Sequence, residues 1–451
     1  MYIKSSRSSR AARGGAVTAL AVAVACVVSG CAPGGSAPDK PNSAPVTANT
    51  LSDDPVTLTL YDGQGLKTLD DALIAAFQDK HPNVTIDATY DPDNVTSQNQ
   101  PRRLASDTPP DLTRVVSVTA NSKDGLLTDL TPFQDLYGWD DMPKTQLVQF
   151  RADDGVAGSG PLYAKPSGFT MTGLYYNKEL ATKIGMDTPP QSVAELTDLF
   201  ASAKAAGLSG LVVGNKEGAG VFPFQLLLNS AMGVDDVSQW VFNAPAATVD
   251  TPEATAAADQ IAQWRDAGYF PDGVNGLDAT AADAMFAAGE GVFYAWGNWA
   301  AVNIDKTMPG QVGFIPMPPT QAGGQLAAMS DAATAFGIPT KSKHKDAAAA
   351  FLDFLSSDAA RQIAIDNGFM PSGLESQAVP TVPKDSVLSD VVTAFTAVSA
   401  AGGQVPFVTN ATAAIQNQAW TPESQRLYGG KISPEEFVKN VQATYESEID
   451  Q

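Results

Sequence analysis

The sequence predicts an α/β fold with room for two domains. A strand, a helix and a second strand fit within about 33 residues from Val56, which makes a βαβ unit and hence a parallel sheet. Helical and strand-like patterns then alternate to the C-terminus. Roughly 400 residues follow the first 54, more than a single hydrophobic core ordinarily organises.

The first strand is Val56-Thr57-Leu58-Thr59-Leu60, apolar and polar by turns, and it runs into the loop Tyr61-Asp62-Gly63-Gln64-Gly65. Leu69, Leu73, Ala76 and Phe77 then share one helical face, Pro82 closes the helix, and Val84 to Ala88 alternates again. Asp111 to Val118, after Pro109-Pro110, reads as a third strand. Ligands of parallel sheets sit beyond the carboxyl ends of the strands, which makes residues 61–64 and 117–121 candidate site positions. Leu174 to Asn177 and Leu211 to Gly214 read as further strands. Ser192 with Glu195, and Ser433 with Glu436, have capping-box spacing, where hydroxyl and carboxylate satisfy the free N–H groups of a helix start. Thr251-Pro252-Glu253 opens another helix with proline in its first turn.

Ahead of this region stands a leader. Lys4, Arg7, Arg10 and Arg13 precede a run from Ala16 to Val28 that is apolar apart from Thr18. The run is shorter than the ~20 residues a spanning helix needs, and its flanks are those of a secretory signal. It ends in Val28-Ser29-Gly30-Cys31, which resembles the bacterial lipobox, so Cys31 is expected to be lipidated and to become the new N-terminus. Cys26 would leave with the leader, so no disulfide framework is expected. Residues 31–54 hold few large apolar side chains and read as a flexible tether from membrane to domain.

The chain has 28 basic and 49 acidic residues, and losing the four basic leader residues leaves 24 against 49. Nucleic-acid binding needs a basic footprint, so that class is excluded, as is docking of the protein surface onto anionic lipid. No Walker A, G-x-G-x-x-G, G-x-S-x-G or H-E-x-x-H motif occurs. The two histidines, His81 and His344, have no partner at metal-ligand spacing. Paired aspartates such as Asp70-Asp71 and Asp235-Asp236 lack an EF-hand pattern and read as solvated surface. No enzyme, metal or cofactor is expected.

The ordered segments resemble the carbohydrate-binding family of extracellular solute-binding proteins. The likeness is carried by Gly160-Pro161-Leu162-Tyr163-Ala164-Lys165-Pro166, by Gly173 to Leu180, by Ala284 to Val292, and by Gly297-Asn298-Trp299. Phe336-Gly337-Ile338-Pro339, Ser342-Lys343 and the helix Ala347 to Leu355 complete it. The resemblance implies a two-lobe periplasmic-binding-protein-like fold, each lobe a mainly parallel sheet flanked by helices, with strands crossing a hinge. It places the first lobe at 55–165 and 297–335 and the second at 166–296 and 336–451, with crossings near 163–170, 294–299 and 331–338. It also implies a monomer that binds a mono- or oligosaccharide in the cleft and hands it to an ABC permease, anchored to the outer face of the membrane through Cys31.

Recognising a sugar calls for planar amides or carboxylates for the hydroxyls and an aromatic surface for the ring face. The resemblance matches Trp299 to an aromatic that stacks on the sugar, and Asn298 beside it suits adjacent hydroxyls. Asp62 and Gln64 follow the first strand, and Ser117 follows the third. Ser167 and Phe169 lie in the first crossing, Asp331 in the third, and Phe224 comes from the second lobe. Two alternatives stay open, a non-sugar solute in the same architecture and a secreted carbohydrate-active enzyme.

Overall fold

The computed structural model describes residues 51–449 apart from 116–117, 374–376, 378–379 and 413, so the leader, Cys31 and most of the tether lie outside it. β1 (Val56–Gly63) and β2 (Val84–Asp91) lie parallel, Val56 opposite Val84, joined by the helix Lys67–Lys80. Leu69, Leu73, Ile74 and Phe77 of that helix are buried. β3 (Leu112–Arg114) pairs parallel with β1 and is shorter than expected, a helix starting already at Val118. β4 (Arg151–Asp153) and β5 (Val156–Leu162) form an antiparallel hairpin.

From there the chain moves between two sheets. β6 (Lys165–Phe169) ends its first pass through the first sheet, and β7 (Thr172–Asn177) begins a second one. β8 (Ser209–Val212), β9 (Gly291–Gly297) and β10 (Val312–Ile315) complete the second sheet in the order β10-β7-β9-β8. After β11 (Ala328–Met329), β12 (Ala332–Gly337) and β13 (Met370–Pro371) return to the first sheet, ordered β13-β6-β12-β3-β1-β2. β14 (Gln404–Val405) pairs parallel with β11. The parallel pairs within the two sheets are β1–β2, β1–β3 and β8–β9, where helices make the crossover. The strands that pass between sheets, β6, β7 and β12, are antiparallel to their neighbours there.

Each sheet has its own core. Leu58, Leu60, Phe77, Leu112 and Phe336 belong to the first, and Phe200, Leu211, Phe224, Trp264 and Phe293 to the second. A third cluster around Phe169, Met171, Tyr175, Ile365 and Met370 fills the hinge between them. The result is two α/β lobes.

The lobe boundaries expected from sequence give way in three places. The helices Lys345–Phe354 and Asp358–Asp366 put Phe351, Leu352 and Ala360 into the first lobe's core, where the Phe351 and Phe77 rings meet edge-on at 5.2 Å. Residues 312–315 pair with β7 and so belong to the second sheet. No crossing occurs at 294–299, because β9 stays paired with β7 and β8. The third passage instead follows β13, leading to the helix Val387–Ala400, whose Val391 packs with Phe314 of β10.

Local signals held better. Ser433 and Glu436 form the full reciprocal box at the helix Pro434–Ile449, with bonds of 3.1 and 3.0 Å. Ser192 caps Glu195 N at 3.2 Å, while the Glu195 carboxylate reaches Gln191 N instead of Ser192. Among the described residues no helix is long and apolar enough to cross a membrane.

Candidate functional site

A cavity of about 140 Å³ lies where the lobes meet. Arg114, Thr119, Gln149 and Phe150 line it from the first lobe, Phe242, Asn243 and Asn410 from the second, and Asp331 and Thr334 from the crossing. Drug-sized ligands ordinarily fill about 300–1,000 Å³, so a guest larger than about one ring needs the lobes further apart. A groove of 480 Å³ between Pro190, Phe314 and Ala394 is larger but is lined by second-lobe residues alone.

The lobes touch beside the cavity. Phe242 follows the helix Val234–Val241, and its carbonyl accepts from Ala157 N at 3.2 Å. Its ring lies over Gly158, where even a Cβ atom would stand 3.2 Å from it. Phe242 packs against both lobe cores.

Four partly exposed aromatic rings gather near Asp331. Trp296 and Trp299 meet edge to face at 5.4 Å, and Phe222 lies 5.4 Å from Trp296 and 6.3 Å from Trp299. Phe407 stands 5.8 Å from Phe222, and its backbone N–H donates to Asp331 Oδ2 at 3.2 Å. Phe222 packs on the second lobe's core, Trp296 on the hinge cluster and Trp299 on the first lobe's core. The cluster thus sits at the junction of all three. Gly297 makes the arrangement possible: a Cβ there would lie 2.0 Å from the Trp299 ring, which folds back across it.

Asp331 is held at the crossing by Thr170, whose backbone N–H donates to the Asp331 carbonyl at 2.7 Å. Its carboxylate Oδ2 also accepts from Asn410 Nδ2 at 2.6 Å. Burial pushes this carboxyl up to about 6, against the lowering effect of the Phe407 and Asn410 donors.

The residues singled out from the sequence separate into groups. Trp299 and Asp331 stand at the cleft. Asp62 is fully buried below it, accepting from Thr334 Oγ1 at 2.9 Å and pairing with Arg114 at 3.6 Å. Burial and the neighbouring Asp62 hold the Asp70 carboxyl well above the carboxylate range, so Asp70 keeps its proton. Gln64 is exposed in the short turn after β1 and does not line the cavity. Ser117 lies outside the described residues, while its neighbour Thr119 lines the cavity.

Four residues expected at the ligand are structural. Ser167 is buried and donates to Thr334 O at 3.2 Å across the first sheet. Phe169 is a hinge plug, stacked on Phe395 at 6.3 Å. Phe224 is buried against Phe437 and Trp420, and the ring of that helix that reaches the cleft is Phe222. Asn298 is fully buried, accepting from Met171 N at 2.9 Å and donating to Phe169 O at 3.2 Å and Gly368 O at 2.8 Å. It staples the crossing strand to the turn before β13. Phe242, Asn243 and Gln149 escaped the sequence reading; the left-handed backbone of Asn243 (φ 58°) has no signal in composition or spacing.

Comparison with known proteins gives the architecture its place. The chain is similar in structure to a chitin oligosaccharide binding protein, with 20% identity, a TM-score of 0.72, and 88% of this chain and 100% of that one covered. It is similar to the GacH receptor of Streptomyces glaucescens, solved unliganded and with acarbose (21% identity, TM-score 0.68, 88% and 98% covered). Maltose-bound MalE3 of T. maritima is a third such structure (21% identity, TM-score 0.67, 87% and 99% covered). Among curated proteins no sequence matches. The model for bacterial extracellular solute-binding proteins matches residues 63–362, well over half the chain. The chain belongs to the family of bacterial extracellular solute-binding proteins.

Proposed function

We propose that this protein is the substrate-binding component of an ABC importer, capturing a mono- or oligosaccharide between its lobes and delivering it to the permease. The observation that carries the reading is the group of half-exposed rings, Phe222, Trp296, Trp299 and Phe407, beside a polar interlobe cavity. A sugar has apolar C–H faces that rest on aromatic rings and a rim of hydroxyls that needs amides, carboxylates and guanidinium groups. Trp299 is the platform in this reading, with Trp296 and Phe222 fixing its angle. Thr119, Gln149, Asn243, Asp331 and Arg114 meet the hydroxyls, and Asp62 positions Arg114. Structures of the same fold carry maltose and acarbose, which favours a carbohydrate guest.

Capture is reversible and leaves the sugar unchanged. Closure follows because a ligand touching both lobes favours the state that adds its contacts. Lipidated Cys31 and the tether 31–54 hold the lobes near the permease at the outer face of the membrane. A thermal-shift screen against mono- and oligosaccharides tests the reading. A sugar at one hundred times its Kd stabilises the folded state by about 2.7 kcal/mol and raises Tm. If no sugar raised Tm while an amino acid, peptide or polyamine did, the sugar assignment would be wrong.

A further inference from the structure

The cavity between the lobes carries two ionisable side chains, Arg114 and Asp331. Arg114 pairs with Asp62 at 3.6 Å, so the guanidinium charge is already matched. Asp331 is different. Its Oδ2 is held by Phe407 N and Asn410 Nδ2, both neutral donors, and its Oδ1 takes no hydrogen bond from a described residue. Among the described residues no Lys or Arg forms an ion pair with it. A second open acceptor lines the same cavity: Asn243 Oδ1 is buried and unpartnered. A buried acceptor without a donor is unfavourable until something supplies one. The wall therefore presents acceptors and one unmatched negative charge to whatever enters.

We propose that the ligand is a sugar bearing a protonated amine, an amino sugar, with its ammonium group on Asp331 and Asn243. The inference rests on the sugar reading above and narrows its substrate class. An ammonium has three donors and no acceptor, which suits two open oxygens better than a hydroxyl does. It also brings the cation that Asp331 lacks, and charge-assisted hydrogen bonds are the strong ones. Burial raises the Asp331 carboxyl only to about 6, so it is still charged at pH 7. The neighbouring rings of Trp296 and Trp299 suit a cationic sugar as well, since their faces attract positive charge.

Calorimetric titration of the full chain at pH 7 tests this. The probes are glucosamine and its β-1,4-linked dimer and trimer, each with its N-acetylated and its 2-hydroxyl counterpart, and spermidine as a non-sugar amine. The expected result is that the amine series binds at least tenfold more tightly than both neutral series. In Asp331→Asn that preference falls below twofold. Asn243→Ala, away from the crossing strand, reduces it at least threefold and serves if Asp331→Asn does not fold. Neutral sugars binding as tightly as amines would overturn the inference and leave the sugar reading standing. Binding of spermidine with no sugar bound, or no binding of any probe, would overturn both.

Discussion

Asn298 separates a hinge from a binding site, and replacing it by alanine tells the two roles apart. The change removes three hydrogen bonds at once, from Met171 N and to Phe169 O and Gly368 O, all in a fully buried setting. Leaving one buried polar group unpaired is unfavourable by about 1–3 kcal/mol. Carbonyls with other partners lose less than an orphaned N–H, so the low end of the sum applies, about 2–4 kcal/mol for Asn298→Ala. Asn298→Asp should be worse, since it turns a double donor toward Phe169 O and Gly368 O into a bare acceptor. Urea unfolding followed by circular dichroism reads the loss as a lower midpoint at unchanged slope. If Asn298→Ala changed stability by less than about 0.5 kcal/mol, the size of a neutral surface substitution, the staple assignment would be refuted.

Trp299→Ala should weaken sugar binding by about 1–3 kcal/mol, or about 5- to 150-fold in Kd, since it deletes the proposed stacking surface; calorimetry with unchanged Kd would remove it from the site. Phe242→Ala takes away the ring that covers Gly158, and losing a half-buried phenyl contact is worth about 1–2 kcal/mol to the closed state. Ligand-free X-ray scattering should then show a larger radius of gyration, restored by saturating ligand, and an unchanged radius would deny the contact any part in closure. The Asp331 carboxyl lies at about 6, above its unfolded value of 3.8, so the folded state binds the extra proton between those pH values. Its contribution to stability is therefore complete below about pH 4 and lost as pH rises through 6, by up to about 3 kcal/mol. Asp331→Asn should gain stability relative to the native chain between pH 4.5 and 7.5, and parallel urea midpoints across that range would contradict this.

Much of the architecture was legible because its signals are local. The first βαβ unit announces itself through alternation at Val56 to Leu60, the helical face of Leu69, Leu73 and Phe77, and alternation again from Val84. The capping serines needed only a four-residue window. Lobe membership depends on contacts across hundreds of residues: nothing within the helix Lys345–Phe354 says that Phe351 will meet Phe77. The helix Val221–Ala231 is apolar almost all round, so its pattern does not fix which ring turns to the cleft. Phe222 and Phe224 are roughly 200° apart on such a helix, and Phe224, the one expected at the ligand, is buried in the second lobe's core. Asn298 misled for a similar reason. An amide suits a sugar hydroxyl and a backbone carbonyl equally well, and only the strands around it decide. Trp299 was singled out by its match to the family's stacking aromatic and Asp331 by its place near a crossing, and both stand where the lobes meet.

Six tryptophans report on the central claim unevenly. Trp139, Trp240, Trp264 and Trp420 are 2% exposed or less, whereas Trp296 and Trp299 are partly open at the cleft. Acrylamide quenching of the native chain, with and without a saturating sugar, therefore reads occupancy of that aromatic surface directly. A bound sugar should lower the quenchable fraction, and most of that protection should vanish in Trp299→Ala. A sugar that binds and leaves quenching untouched would show that the guest lies elsewhere.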